Sequence, residues 1–361
     1  MVGRRALLLA GAAVPVSAYA QCVTDTHAVD SCRGGIRNGA VVAPSPSLAL
    51  DFTVPGTMPP NVVFTRASVG TYFDIAGAMQ TATTNTPRWT YDPVTHALQG
   101  MLMETARTNL LLNSATLGTQ SATVTAAATT LSFYGTGSIA YSGVATGTLV
   151  GAGAFPQRAS VTFTPTAGTL TLTVTGSVLN AQLETGSFAS SWIPTTGATV
   201  ARAIEHCSLT DAVMFGGTTD RTVAVDAYAR QVAPSGSNEI WLLLSDGTLT
   251  NFMKMLSPQL ASNVRGQITV AGVSKLNGGD RSYGAPPTAF KAALANGAIW
   301  NGAVNGVLMV GSGGVSQQLG PLTQLNIGEG NSGPVQIDGA IQRVRYWNTA
   351  LSAAQLQAVT T

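Results

Sequence analysis

Asp220 and Asp226 have the even spacing that puts two carboxyls on one face of a strand, the arrangement that acid–base or nucleophilic bond cleavage requires. Arg221 directly follows the first, and Thr, Val and Ala fill the interval, so the pair reads as a solvated strand edge. His206 adjoins Cys207, but neighbours on a strand point to opposite faces and cannot exchange a proton, so the thiol reads as buried and inert. Residues 328–333 match G-x-G-x-x-G, yet a phosphate cradle needs a helix N-terminus to follow, and Pro334-Val335-Gln336-Ile337 reads as a strand; the segment is a loop. Gly330-Asn331-Ser332-Gly333-Pro334 within it faintly resembles a serine nucleophile turn, with only His27, His96 and His206 to serve as bases. The scattered histidines and cysteines have no metal-ligand spacing, and no cofactor is expected. Were calcium bound, rim-loop carboxylates would hold it, and Asp338 and Asp280 are the candidates.

Aromatic side chains offer another chemistry, because a ring face stacks on the C–H groups of a sugar while nearby amides or carboxylates bond its hydroxyls. Among the five tryptophans, Trp300 precedes Asn301-Gly302, a hairpin-turn pair, and reads as a loop-tip platform with Asn301 beside it. Trp89, near Tyr91 and Asp92, is the second candidate platform. Trp241 and Trp347 sit among Ile, Leu, Val and Tyr and read as core.

Only 9% of the 361 residues that must position these groups are charged. The formal charge of +2 vanishes without the first twenty residues, which hold Arg4 and Arg5 and no acid. Such a surface lacks the electrostatic steering that nucleic acids or phosphorylated metabolites demand, and it suits a surface polysaccharide, another glycan or a neighbouring protein. Residues 1–20 have the layout of an export signal: Arg4 and Arg5, an apolar run, then Ala18-Tyr19-Ala20 as a cleavage site. The other reading of this segment is a retained anchor that packs into an assembly. No later segment approaches the roughly 20 apolar residues that a bilayer requires. Cys22 and Cys32 are placed to close a small ring in an oxidising compartment, worth about 2–3 kcal/mol by loop entropy.

Residues 21–61, rich in Pro and Gly, read as an extended arm with one strand over 48–54. Residues 62–203 alternate with period two: Ser160-Val161-Thr162-Phe163-Thr164, a turn at Thr166-Ala167-Gly168, then Leu170, Leu172 and Val174 between threonines, which reads as a hairpin. Residues 204–361 form a second β-rich block. It ends in Leu351-Ser352-Ala353-Ala354-Gln355-Leu356, where Ser352 and Gln355 have the spacing of a capping box. The expected fold is therefore all-β: two antiparallel β-sandwich (jelly-roll) domains, an N-terminal arm and one short C-terminal helix.

Phe64-Thr65-Arg66-Ala67-Ser68, Thr71-Tyr72-Phe73-Asp74, Pro87-Arg88-Trp89, Tyr91-Asp92-Pro93 and Met103-Glu104-Thr105-Ala106-Arg107-Thr108-Asn109-Leu110-Leu111 resemble a run found in bacteriophage and prophage tail-fibre or head-spike proteins. There it precedes a sandwich similar to a carbohydrate-binding module, whose closing strand resembles Gln182-Leu183-Glu184-Thr185-Gly186-Ser187-Phe188-Ala189 and Trp192-Ile193-Pro194-Thr195. Ala303-Val304-Asn305-Gly306-Val307-Leu308, Leu325-Asn326-Ile327-Gly328-Glu329 and the run from Asp338 to Trp347 resemble a laminin-G or concanavalin-A-like lectin domain. These resemblances imply a non-enzymatic virion-surface protein that binds host-surface glycan, contacts other virion proteins and forms a homo-oligomer. The alternatives are a secreted bacterial adhesin, exported through a cleaved signal, and a secreted polysaccharide hydrolase or lyase. Lectin-like sandwiches that cleave glucans share a Glu-x-Asp-x-x-Glu run, and this chain has none.

Overall fold

The structure, a computed structural model, describes residues 36–37, 40–217, 219–248, 250–315, 318–330 and 336–361. The export signal, the Cys22–Cys32 ring and residues 331–335 of the glycine-rich loop lie outside them. The described residues up to Ser45 belong to a unit of their own, in which the short strands Ile36–Arg37 and Ala40–Val41 pair antiparallel. Residues 46–361 make a second compact unit.

Within that second unit, a seven-stranded sheet runs in the order Val273–Ser282, Asn263–Val270, Phe252–Ser257, Glu239–Ser245, Gln324–Ile327, His206–Thr210 and Val63–Thr65. An eight-stranded sheet runs Val307–Leu308, Trp300–Val304, Thr288–Asn296, Arg221–Ala229, Gly339–Trp347, Leu98–Met103 and Trp89–Tyr91, with Leu48–Asp51 also paired to Gly339–Trp347. Alternation along each strand sends one set of side chains inward, so Val223, Val225 and Ala227 meet Leu242, Leu244, Met253, Met255 and Ile327 in one core.

A smaller sandwich has its own core. Leu131, Phe133 and Leu183, from the sheet Gly153–Phe163, Thr129–Gly135, Leu179–Thr185, pack against Ile139, Leu149, Leu170 and Leu172. These last belong to the sheet Gln120–Val124, Gly168–Thr175, Ser138–Gly143, Gly147–Val150. The two chain segments joining it to the larger sandwich pair as the ribbon Arg107–Asn109 with Val200–Arg202. Asn109 staples this neck: its Nδ2 donates to the carbonyls of Ala181 (3.0 Å) and Ile193 (2.8 Å), and its Oδ1 accepts from Leu111 N and Leu183 N. All the hydrogen-bonding capacity of the buried amide is thereby used.

The fold is all-β as expected, but the two halves are not consecutive in sequence. Strands from residues 48–103 pair with strands from residues 206–347, so a boundary at 203/204 falls inside the larger sandwich and the smaller one is an insertion. The expected hairpin about Thr166-Ala167-Gly168 is an arch: Gly153–Phe163 pairs with Thr129–Gly135, whereas Gly168–Thr175 pairs with strands of the opposite sheet. Leu170 and Leu172 are buried and Thr169 and Thr173 exposed, as the alternation requires. Two strands facing each other across a core show the same alternation as two lying side by side, which is why the pattern misled. The C-terminal helix Ala353–Thr360 carries the expected capping box, with Gln355 N donating to Ser352 Oγ and Ser352 N to Gln355 Oε1 (3.0 Å). A second helix, Ala212–Gly216, capped by Asp211, was not expected.

Candidate functional site

The larger and smaller sandwiches meet over a buried ionic network in which Arg66, Arg88 and Glu104 join Arg202, Glu205 and Arg230. Arg88 holds Glu205 in a fork, Nε to Oε1 at 3.0 Å and Nη2 to Oε2 at 2.8 Å, and also reaches Glu104 at 2.7 Å. Arg66 joins Glu205 at 2.8 Å, while Arg202 and Arg230 join Glu104 at 3.2 and 3.1 Å. From the inserted sandwich, Ser191 donates to Glu104 from its backbone N (2.7 Å) and its hydroxyl (2.6 Å). Burial works against the Glu104 charge, but the Arg202, Arg88 and Arg230 guanidiniums overcome it and hold the carboxyl well below its usual range. Continuing outward, Arg230 reaches Asp338 at 3.5 Å, and Asp338 N donates to Glu239 Oε1. Burial, with the neighbouring Asp338 charge, pushes the Glu239 carboxyl up to about 8.

Above this network a groove opens between the sandwiches. Its walls are Tyr72, Phe73 and Met79 from the hairpin Gly70–Phe73 with Met79–Ala82, Thr90 and Leu102 from the larger sandwich, and Tyr134, Arg158 and Trp192 from the insertion. The groove is small, with ≈ 30 Å³ of space accessible to water. Three rings gather there: Phe73 and Tyr134 edge to face at 6.4 Å, Phe155 tilted against both at 6.0 and 5.3 Å. Phe155 is 41% exposed. Arg158, directly opposite Tyr134 in the strand register, lies over that ring at 5.4 Å. A larger hollow of ≈ 410 Å³, lined by Ser47, Asp211, Val213, Met214, Gly217 and Asn348, brings together neither rings nor cations.

The residues favoured from sequence lie elsewhere. Trp300 is only 7% exposed and belongs to the main core; it is the first residue of a strand, and its indole is roofed by Gly279 and Gly314, where any Cβ would press on the ring. Asn301 is buried in the same strand. The turn lies four residues on, at a second Asn-Gly pair, Asn305-Gly306, both with positive φ. Trp89 is buried and donates from Nε1 to Phe52 O at 3.0 Å. Tyr91 is partly exposed at the end of its strand, and Asp92 Oδ1 accepts from Val94 N and Thr95 N, closing a turn. Trp241 and Trp347 are buried.

Asp226 is no solvated edge: its strand is interior to the eight-stranded sheet, and Arg345 holds its buried carboxylate at 2.5 Å. Neither calcium candidate stands open on a rim, since Asp338 is buried against Arg230 and both oxygens of Asp280 accept from Arg265 at 2.6 and 2.7 Å. His206 faces solvent with Nδ1 2.6 Å from Glu329, while Cys207 points into the core, where burial foremost, then Glu329 and Glu205, push its thiol far above the ordinary range.

No protein-family model matches the chain, and no curated protein does. Solved structures similar to part of it include the NanB sialidase of Streptococcus pneumoniae, at 16% identity and TM-score 0.35 over 42% of this chain and 26% of that one. The chain thus matches about a quarter of the length of that sialidase. The IT-sialidase CBM40 of Ruminococcus gnavus is similar at 14% identity and TM-score 0.35, over 42% and 86% of the two chains. Domain 4 of AbnA, a GH43 extracellular arabinanase from Geobacillus stearothermophilus, solved with arabinotriose, is similar at 13% and 0.36, over 45% and 77%.

Proposed function

We propose that this protein is a non-enzymatic binding protein of a virion or cell surface, and that it grips a surface glycan at the groove between its sandwiches. One observation carries the proposal: the groove brings three rings, one of them well exposed, beside guanidinium and hydroxyl groups, the combination that sugar recognition uses. The virion setting rests on the resemblance of residues 64–111 to phage fibre and spike proteins. The export-like layout of residues 1–20 favours a second setting, a secreted bacterial adhesin.

Incubation with capsular and cell-wall polysaccharides tests this. Polymer that is retained at unchanged length, with binding about tenfold weaker in Phe155→Ala, or about 1.4 kcal/mol, supports the proposal. Polymer that shortens contradicts it and favours a hydrolase or lyase.

A further inference from the structure

We infer that the groove selects an acidic sugar, one bearing a carboxylate, and that Arg158 is the residue that recognises it; this rests on the glycan-binding reading above. The inference comes from the ion-pair pattern of the junction. Arg66 and Arg88 have Glu205, Arg107 has Glu184, and Arg202 and Arg230 have Glu104. Arg158 lines the same junction and has no carboxylate partner among the described residues. It is held by neutral groups alone: Nη1 donates to Ser190 O at 2.6 Å and Nη2 to Ser132 Oγ at 2.9 Å, while its buried Nε has no hydrogen-bond partner.

A cation kept partly buried without a counter-ion is costly. In a chain with 9% charged residues it is also conspicuous. The Ser190 and Ser132 bonds and the Tyr134 face fix the guanidinium plane, and N–H groups remain for an incoming acceptor. A planar carboxylate matches two such donors, and the half-buried Phe73 and the exposed Phe155, both packed on the buried Tyr134, supply the apolar surface for the ring that carries it.

The test measures binding of polygalacturonate, hyaluronan and polysialic acid, each beside its carboxyl-reduced neutral form, with dextran sulfate as the sulfate arm. We expect at least one carboxylated polymer to bind tenfold or more tightly than its reduced form and than dextran sulfate. Arg158→Gln should abolish that preference and Arg158→Lys restore part of it. The wild-type preference needs no variant, so a poorly folding substitution does not block the test. Equal binding of a polymer and its reduced form overturns the acidic-sugar inference and leaves the glycan reading standing, as does a sulfate preference. Binding of no polysaccharide, charged or neutral, overturns both.

Discussion

Replacing Glu239 with Gln should flatten the dependence of stability on pH. The Glu239 carboxyl is buried; Oε1 accepts from Asp338 N at 3.3 Å and Gln231 Nε2 at 3.4 Å, and Oε2 has no partner. Burial chiefly, then the nearby Asp338 charge, raises it from 4.5 to about 8. The folded chain therefore keeps a proton that the unfolded chain releases. The stability this contributes is complete below 4.5, is lost as pH rises towards 8, and changes no further above it. At 1.36 kcal/mol per unit, the loss between pH 4.5 and pH 7 is about 3 kcal/mol. Gln keeps the uncharged form at every pH, so the stability of Glu239→Gln relative to wild type should grow by that amount over this interval and level off above pH 8. Asp338, which burial raises to about 6 against the pull of Arg230, adds a slope common to both proteins. Urea unfolding of both at pH 4.5, 6, 7 and 8.5 gives the difference directly. Curves that stay parallel would show that Glu239 is not held protonated by its burial.

Trp300→Ala should destabilise the fold by about 3–5 kcal/mol, the cost of emptying a large core site, and a melting temperature within a degree or two of wild type would show that the indole is not packed as described. Glu205→Gln leaves the buried Arg66 without its carboxylate and removes the fork on Arg88, a loss of about 3–5 kcal/mol. Arg265→Gln, in the more exposed pair with Asp280, should cost under about 1 kcal/mol, and similar losses at the two sites would contradict the structural role given to the junction.

The all-β class and the C-terminal helix were legible because each depends on local spacing: period-two alternation for strands, and the Ser352–Gln355 interval for the capping box. The inserted topology was not legible, because alternation states which side chains face inward and is silent on which strand lies alongside. Trp300 was misjudged for a related reason. The glycines that signal turns by their backbone freedom also make room for a large ring, and Gly279 and Gly314 do the latter. Part of the groove was within reach. In Thr129–Gly135, Leu131 and Phe133 point inward, which places Tyr134 on the outward face. Its opposition to Arg158 and the arrival of Phe73 from a hairpin about sixty residues upstream depend on pairings the sequence does not announce. Of the charged residues in 64–111, Arg66, Arg88, Glu104 and Arg107 meet partners from residues 184–230 at the junction, whereas Asp74 and Asp92 close exposed turns, and nothing in their spacing separates the two sets.

Hydrogen exchange on the full-length protein, with and without a retained polysaccharide, tests the central claim most directly. Binding in the groove predicts slowed exchange in Gly70–Phe73, in Thr129–Gly135 and around Phe155 to Arg158, with no change in Trp300–Val304. Protection confined to any other surface would contradict it.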